Sequence, residues 1–283
     1  MDVDCAYLNA ELNDEVYMRV PPGVNIEHKQ GQVFKLLRAL YGLKQSGREW
    51  ALHLKGILES IGWKQSPRVP CLYSRNHGEY VLVYANDLMV VGPDLKSIEN
   101  IKSEIGKCIK SKDLGPIHDY LGIEIIRDHT KKTFYLRQIG LIDDIIKVMN
   151  PTRITKTPMS TIYDPVLESQ SLNETDHNKY RSVLGKLLYL SRITRPDLSI
   201  STNLLGRSVA NPTVENLKAM TRVAGYLLGS RNLYLALDGS NELFLTGMSD
   251  ADWAGDRVDR KSTSAYICYL GKAPITWSLN LYP

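Results

Sequence analysis

The sequence lacks long apolar runs and the short motifs of common hydrolases. No stretch approaches the roughly 18 to 20 apolar residues that a transmembrane helix needs, and the acidic opening MDVDCAYLNAEL is unlike a basic signal peptide. The patterns GxSxG, HExxH and the phosphate-binding P-loop are also absent. We therefore predict neither a membrane protein nor a hydrolase of these classes.

The cysteines are few and widely separated. Cys5, Cys71, Cys108 and Cys268 form no CxxC pair, and no histidine stands near them at the spacing of zinc ligands. Because disulfide frameworks and zinc knuckles need such groupings, the sequence predicts neither of them. The pattern is typical of a reducing compartment, so we expect an intracellular location in the cytoplasm or the nucleus.

The numbers of positively and negatively charged residues are nearly equal. The chain has 35 Lys and Arg residues against 31 Asp and Glu residues, for a formal net charge of +4. This charge permits a phosphate-backbone partner without requiring one. A hydrophobic content of 43% in 283 residues is enough to form a buried core, so we expect one large globular domain or two ordinary ones.

The first part of the chain predicts short strands and two helices. Ser46–Glu49 fits a capping box, and apolar positions at helical spacing follow until Gly62. Residues 80–91, YVLVYANDLMVV, predict a hairpin with the polar pair Asn86-Asp87 at its tip. Pro93-Asp94 then predicts the start of a second helix, in which four isoleucines form one buried stripe.

The second part also mixes strands and helices. A further hairpin is predicted from Lys112–Arg127 and Thr133–Arg137, and the polar, proline-containing residues 151–178 predict a linker. Periodicity predicts helices at Tyr180–Ile193 and Val214–Leu228. Three short strands are predicted at the end, at Glu242–Met248, Ser264–Leu270 and Pro274–Ser278. The order of elements predicts an α+β fold.

Acidic residues on two separate predicted elements suggest a site for divalent cations. Asp2 lies on the first strand, and Asp87 lies at the predicted hairpin tip. Carboxylates from separate elements can hold divalent cations, and pairs of such ions catalyse phosphoryl transfer to a growing strand. An acidic residue at a turn is also ordinary solvated turn chemistry. The residue types alone leave both interpretations open.

Six blocks spread over the chain carry a more specific pattern. In order, they are MDVDCAYLNAELNDEVYMRVPPG, LYGLKQSGREW, YANDLMVVG, KDLGPIHDYLGIEI, YRSVLGKLLYLSRITRPDLS, and SDADWAGD with STSAY and PITWS. They resemble the reverse transcriptase and ribonuclease H regions of the copia-class LTR retrotransposon Pol polyprotein. The resemblance implies an RNA-directed DNA polymerase whose partners are an RNA or DNA template-primer and deoxynucleotides, with Mg²⁺ or Mn²⁺ as cofactor.

The resemblance also implies a division of the chain. Residues 1–150 would form the palm and the start of the thumb, with truncated fingers, and their antiparallel sheet would lie against helices. Residues 151–239 would form the thumb or connection region. Residues 240–283 would form an incomplete ribonuclease H-like β segment, without activity, because the family's later acidic residues do not follow. The family also has further finger strands before the first block.

Site roles follow from the resemblance position by position. Asp2 falls at the first metal-binding carboxylate of the family, with the Val3 carbonyl beside it. Tyr7 falls where an aromatic ring crowds the sugar 2′ position, and Gln45 where the family contacts the nucleotide and template. Tyr84–Asp87 occupies the place of the Tyr-x-Asp-Asp box. The implied catalytic set is therefore Asp2, Asn86 and Asp87, with Asp2, Val3 and Asp87 as the metal ligands. The implied nucleotide-binding residues are Val3, Tyr7 and Gln45.

Two further sites are implied, and each assigned residue has a simpler alternative. Tyr120, Leu121 and Gly122 resemble the hairpin that grips the primer, and Asp250 matches the first ribonuclease H carboxylate. The alternatives are a half-buried strand aromatic for Tyr7, a loop residue near a helix start for Gln45, a packing residue for Tyr120, a bulge glycine for Gly122 and a strand-end turn for Asp250.

One residue of the box departs from the family. Asn86 stands where the family has an aspartate that contacts both cations. Losing a unit charge at about 4 Å costs about 4 kcal/mol at an effective dielectric constant near 20, and such a cost slows a reaction roughly a thousandfold. We expect weakened metal binding and impaired polymerisation.

A different class of function stays open beside the polymerase. It is a non-catalytic nucleic-acid-binding module, in which Lys35, Arg38, Lys44 and Arg48 hold an RNA–DNA hybrid without chemistry. The simpler interpretation of these four residues is a solvated basic face. Salt-dependent binding of a duplex would favour the module.

Overall fold

The computed structural model describes residues 1–24, 31–76, 78–160, 169–239, 242–256 and 260–282. The chain divides into two compact units, Met1–Ile117 and His118–Pro283. Part of the predicted linker, residues 161–168, lies outside the described residues, as do residues 240 and 241. Both units combine helices with antiparallel sheets, so the predicted α+β class is confirmed at this level.

The first unit contains two helices and two antiparallel sheets. Its helices are α1 (Ser46–Ser60) and α2 (Leu95–Cys108). Its strands are β1 (Asp2–Val3), β2 (Tyr17–Arg19), β3 (Val33–Lys35), β4 (Lys64–Gln65), β5 (Leu72–Arg75), β6 (Glu79–Tyr84), β7 (Asp87–Val91) and β8 (Ser111–Lys112). The main sheet has the order β4-β5-β6-β7-β1-β8, and β2 pairs only with β3 among the described strands. The N-terminal strand β1 therefore lies between β7 and β8.

One apolar cluster fixes the helices of this unit against the sheet. Trp50, Leu54 and Leu58 of α1 are buried in the same cluster as Ile101 and Ile105 of α2. Their spacing of three or four residues places each set on one face of its helix. The two helices that periodicity predicts here are therefore confirmed, and they share one apolar cluster with the sheet that carries the candidate site.

The predicted start of α1 is wrong in its detail. Gln45 precedes the first helical residue with backbone angles already close to helical, and its side chain makes no capping hydrogen bond. The Ser46 hydroxyl donates instead to the Leu40 carbonyl at 2.6 Å, and Glu49 accepts from the Asn13 amide at 2.6 Å. Contacts outside the helix therefore compete successfully for the two side chains of the expected capping box.

The second unit contains four helices and two further sheets among its described residues. The helices are α3 (Ile139–Met149), α4 (Glu174–Ile193), α5 (Ser199–Arg207) and α6 (Val214–Gly229). The strands are β9 (Asp119–Tyr120), β10 (Ile123–Asp128), β11 (Thr133–Arg137), β12 (Leu235–Asp238), β13 (Leu245–Ala251), β14 (Ser262–Leu270) and β15 (Ala273–Tyr282). They form sheets with the orders β12-β11-β10-β9 and β13-β14-β15. No described helix is long and apolar enough to cross a membrane.

Several boundaries in this unit differ from the predictions. The arm predicted as Lys112–Arg127 is divided: Lys112 ends β8 of the first unit, and a tight turn after Tyr120 separates β9 from β10. The predicted linker is wrong for its last residues, since α4 begins at Glu174 with the Asn173 side chain accepting from the Asp176 amide at 2.9 Å. Helices α3 and α5 and strand β12 were not predicted.

Candidate active site

Pairing of β1 with β7 brings the predicted acidic residues together. Asp2 lies directly opposite Asp87 in the antiparallel ladder. On either side of this pair, the Leu88 amide donates to the Met1 carbonyl at 2.9 Å, and the Val3 amide donates to the Asn86 carbonyl at 2.8 Å. Four predicted residues, Asp2, Val3, Asn86 and Asp87, therefore meet at one point of the main sheet.

The loop of the hairpin that carries Asn86 lies one residue earlier in the chain than predicted. Tyr84 pairs with Asp87, so the two loop residues are Ala85 and Asn86, and Asp87 begins β7. Ala85 has φ +50°, in the left-handed region that residues with a Cβ atom adopt at an energetic cost. Two-residue hairpin loops need such backbone angles, which explains why the cost arises here.

A contact from α1 holds this turn. The Trp50 indole Nε1 donates to the Ala85 carbonyl at 2.7 Å, and the indole is almost completely buried. The helix and the hairpin tip are therefore joined by a hydrogen bond as well as by packing. The helical spacing predicts only that Trp50 is an apolar position of α1, although a buried indole N–H usually has an acceptor.

The Asn86 side chain binds the neighbouring carboxylate. Its Nδ2 donates to Asp2 Oδ1 at 2.6 Å, and both side chains are half-buried. A hydrogen bond to an ionised acceptor is shorter and stronger than one between neutral groups. Asp4 is not part of this arrangement, because its carboxylate pairs with Lys110 at 2.8 Å.

This donor set carries too little negative charge to hold two divalent cations tightly. The chain supplies two carboxylates here, and one oxygen of Asp2 already accepts from an amide N–H. Within the described ranges, no group of three or more His, Cys, Asp or Glu residues is placed to hold a metal ion. Hard cations need several oxygen ligands, and two adjacent cations need a corresponding number of negative charges.

Tyr7 and Gln45, which are predicted to bind the nucleotide together with Val3, belong to the same unit. Tyr7 lies in a 3-10 turn, Ala6–Asn9, so its alternative as a strand aromatic is wrong. Its ring centroid lies 4.5 Å from that of Tyr41, with the planes inclined by 33°. Gln45 is half-buried at the N-cap of α1. The structure gives these positions, and the contact of either residue with a nucleotide stays a prediction.

The predicted primer grip is a tight turn between β9 and β10. Tyr120 pairs with Ile123, and the two loop residues Leu121 and Gly122 have φ +55° and +74°. Gly122 is therefore a turn residue, and its alternative as a bulge glycine is wrong. The Tyr189 hydroxyl of α4 donates to the Leu121 carbonyl at 2.8 Å, a contact that sequence analysis gave no reason to expect.

Asp250 lies within the sheet of β13, β14 and β15. It is exposed on β13 and paired with Ala265, one residue before the strand ends at Ala251, so the alternative of a strand-end turn at Asp250–Asp252 stays open. It lines a cavity of about 310 Å³ together with Asp252 and Arg207. Arg207 forms an ion pair with Asp256 at 2.7 Å. A ribonuclease H role for Asp250 stays a prediction.

Two of the four predicted basic contacts are engaged within the protein. Lys35 forms an ion pair with Glu15. Arg38 donates to the Leu8 and Asn9 carbonyls, at 3.2 Å in both cases. Lys44 and Arg48 are exposed beside the start of α1. A basic surface for nucleic acid therefore depends mainly on the last two residues.

Comparison with known proteins identifies the family of this chain. The family model described as reverse transcriptase (RNA-dependent DNA polymerase) matches residues 1–163, which is more than half of the chain. This chain belongs to the reverse transcriptase family. The match covers both acidic residues, the hairpin with Asn86 and the turn at Tyr120–Gly122.

Relatives of this reverse transcriptase domain come from copia-type transposons. It is 38% identical to the retrovirus-related Pol polyprotein from transposon RE1 of Arabidopsis thaliana, over 98% of this chain and 19% of that protein. The corresponding protein of transposon RE2, also from Arabidopsis thaliana, is 35% identical over the same shares. The putative transposon Ty5-1 protein of Saccharomyces cerevisiae is 32% identical over 98% of this chain and 91% of that protein. The chain thus spans about a fifth of the length of the two plant relatives.

Proposed function

We propose that this chain is a copia-type reverse transcriptase domain that binds a template-primer but performs nucleotidyl transfer poorly. The observation that carries the proposal is the hydrogen bond from Asn86 Nδ2 to Asp2 Oδ1, formed where Asp2 and Asp87 are paired. The fold keeps the acidic residues together, so the site is recognisable. The neutral Asn86 amide beside these two carboxylates is the reason that we expect slow nucleotidyl transfer.

Divalent cations, when bound, would activate the attacking hydroxyl and stabilise the leaving pyrophosphate. Asp2 and Asp87 would hold them, with the Val3 carbonyl nearby. Asn86 supplies no negative charge and occupies one oxygen of Asp2. A missing unit charge at about 4 Å is worth about 4 kcal/mol at an effective dielectric constant near 20. We therefore expect a rate roughly a thousandfold below that of an all-acidic site.

The remaining residues would position nucleic acid and nucleotide. We assign Tyr7, whose ring contacts that of Tyr41, to the sugar 2′ position, and Gln45 to the nucleotide and template. The turn at Leu121 and Gly122 would hold the primer end. Residues 1–150 would act as the palm and the start of the thumb, 151–239 as thumb or connection, and 240–283, with Asp250, as an incomplete ribonuclease H-like segment.

A second candidate function is nucleic-acid binding without chemistry in the cytoplasm or nucleus. The hydrogen bond between Asn86 and Asp2 favours it, because Asp2 then has a partner in the absence of any cation. Lys44 and Arg48 offer exposed positive charge for a phosphate backbone. The two functions differ in whether any templated extension occurs.

Two measurements on the full chain test the proposal. Fluorescence anisotropy with an RNA–DNA duplex is expected to show binding that weakens as salt rises. Primer extension with Mg²⁺ or Mn²⁺ is expected to be very slow, and complete absence of extension would favour the binding module. Failure to bind the duplex at low salt contradicts both functions. Rapid extension contradicts the proposed impairment.

A further inference from the structure

One face of α1 forms a wall of a cavity in the first unit. Glu49, Leu52 and Ile57 recur at helical spacing and line this cavity, whose volume is about 560 Å³. Alternate residues of the segment 9–13 and residues 108–110 at the end of α2 form further walls. A volume of this size is typical of pockets that hold small organic molecules.

Glu49 brings a buried negative charge to the cavity. Only 8% of this residue is exposed, and its Oε2 accepts from the Asn13 amide Nδ2 at 2.6 Å. In the part of the chain that the structure describes, no Lys, Arg or His side chain forms an ion pair with Glu49, and its Oε1 has no partner. Buried carboxylates are usually paired with a cation. The charge of Glu49 is therefore uncompensated within the described ranges.

The cationic residues that line the same cavity are engaged elsewhere. Arg38 donates to the Leu8 and Asn9 carbonyls, and Lys110 forms an ion pair with Asp4 at 2.8 Å. Glu11 also lines the cavity, is exposed and has no ion-pair partner among the residues described. The cavity therefore carries two carboxylates without counter-ions.

The other side chains of the lining supply acceptor oxygens and an apolar surface. Asn9 Nδ2 donates to the carbonyls of Asp4 and Ala6, at 3.0 and 3.3 Å, and Asn13 Nδ2 donates to Glu49. The oxygens of both amides are left as acceptors. Leu52, which is 50% exposed, offers an apolar surface on α1 between these polar groups. A ligand with N–H donors, positive charge and an aliphatic chain matches this lining.

We propose that this cavity binds a small aliphatic amine. Its ammonium group donates to Glu49 Oε1, its methylene chain packs on Leu52 and Ile57, and a second ammonium group, in a diamine, lies near Glu11. A hard metal cation would need six or more oxygen ligands and would make no use of the apolar wall. The site goes beyond the proposed function, because none of its residues belongs to the candidate active site.

Titration of the full chain with putrescine at constant ionic strength tests the proposal. We expect saturable shifts of the backbone amide NMR signals of Asn13 and His53, which both line the cavity. Glu49→Gln keeps the shape of the side chain but removes its charge, so the affinity should fall at least about tenfold. Glu99→Gln, at an exposed position outside the cavity, is the matched control and should leave the affinity unchanged.

Comparison ligands decide which property of the amine is recognised. Equal binding of n-butanol would show that the charge is not recognised, and equal or tighter binding of Mg²⁺ at the same signals would show a metal site; either result overturns the proposal. Absence of saturable shifts with putrescine, or unchanged affinity in Glu49→Gln, also overturns it. If Glu49→Gln does not fold, the exposed variant Glu11→Gln serves instead, with an expected loss of about threefold and no loss as the contradicting result. No nucleic acid is used, so failure of the proposed function would appear separately, in the duplex-binding measurement.

Discussion

Trp50 donates a hydrogen bond from its indole Nε1 to the carbonyl oxygen of Ala85 at 2.7 Å, and this bond joins α1 to the hairpin tip of the candidate site. Trp50→Phe keeps an aromatic ring but removes the donor. We expect the free energy of unfolding to fall by about 1 kcal/mol beyond the packing loss, because the half-buried Ala85 carbonyl loses its donor. Chemical denaturation followed by circular dichroism measures this change.

Trp63 offers a matched control for that prediction. It is as deeply buried as Trp50, and its Nε1 has no hydrogen-bond partner among the described residues. Trp63→Phe therefore removes similar apolar volume without breaking a hydrogen bond. Equal losses of stability in the two variants would show that the bond to Ala85 contributes nothing.

The primer-grip turn carries backbone strain that a substitution can relieve. Leu121 has φ +55° directly before Gly122, a pair of positions at which Asn-Gly is strongly preferred. Leu121→Asn is expected to raise the free energy of unfolding by up to about 1 kcal/mol, since asparagine tolerates the left-handed region better. The carbonyl that accepts from Tyr189 is retained.

The same variant separates stability from binding. If Leu121 touches a primer end, Leu121→Asn should weaken binding of an RNA–DNA duplex while the protein becomes more stable. Tyr189→Phe is the companion variant, because it removes the hydroxyl that fixes the turn. Unchanged duplex affinity in both variants would remove the turn from the proposed binding surface.

Two glycines in the helices of the second unit are expected to respond oppositely to alanine. A Cβ atom at Gly225 of α6 would lie 2.5 Å from the Arg153 carbonyl oxygen, whereas one at Gly185 of α4 would meet nothing within 4 Å. Gly225→Ala should destabilise the chain by about 1–3 kcal/mol through overpacking. Gly185→Ala should stabilise it by about 0.5–1 kcal/mol, because alanine loses less backbone entropy in a helix. Equal effects of the two substitutions would contradict the close approach of residue 153.

Acid sensitivity of the first unit is expected to depend on Glu79. A hydrogen bond from the Ser97 hydroxyl at 2.7 Å outweighs the effect of burial and, with Arg75 and Asn76, lowers the pKa of Glu79 below its ordinary value of 4.5. A carboxyl whose pKa is lower in the folded state stabilises the protein above its unfolded pKa. That contribution disappears as the pH falls through the folded pKa.

The corresponding variant is Glu79→Gln. Its free energy of unfolding, measured by urea denaturation from pH 7 down to pH 3, should fall less steeply below about pH 4.3 than that of the unmodified chain. Glu99→Gln, at an exposed position of α2, is the control and should leave the slope unchanged. Parallel slopes for Glu79→Gln and the unmodified chain would contradict the prediction.

The sequence predicts the parts of this fold that depend on strong periodicity. Trp50, Leu54 and Leu58 recur at helical spacing, and the structure buries all three on one face of α1. Helix α5 had no comparable signal, because it is rich in Ser, Thr and Asn. Its buried Ser201 and Thr202 satisfy their hydroxyls by donating to the Leu198 carbonyl, a solution that a propensity scale does not anticipate.

The sequence likewise predicts only part of the candidate site. Ordered motifs placed Asp2 and Asp87 together, and the register of β1 against β7 agrees. The hydrogen bond between Asn86 and Asp2 was not predictable, because it depends on the loop register and on the side-chain rotamer of Asn86. The sequence shows that a negative charge is missing at position 86, whereas the structure shows that a hydrogen-bond donor to Asp2 stands there.

Templated primer extension by the unmodified chain and by Asn86→Asp, measured side by side with Mg²⁺ and with Mn²⁺, shows whether the amide at position 86 limits the chemistry. The variant is expected to extend the primer roughly a thousandfold faster than the unmodified chain, because about 4 kcal/mol of electrostatic stabilisation is restored. Equal, rapid extension by both proteins would contradict the claim that the neutral amide at position 86 limits the chemistry.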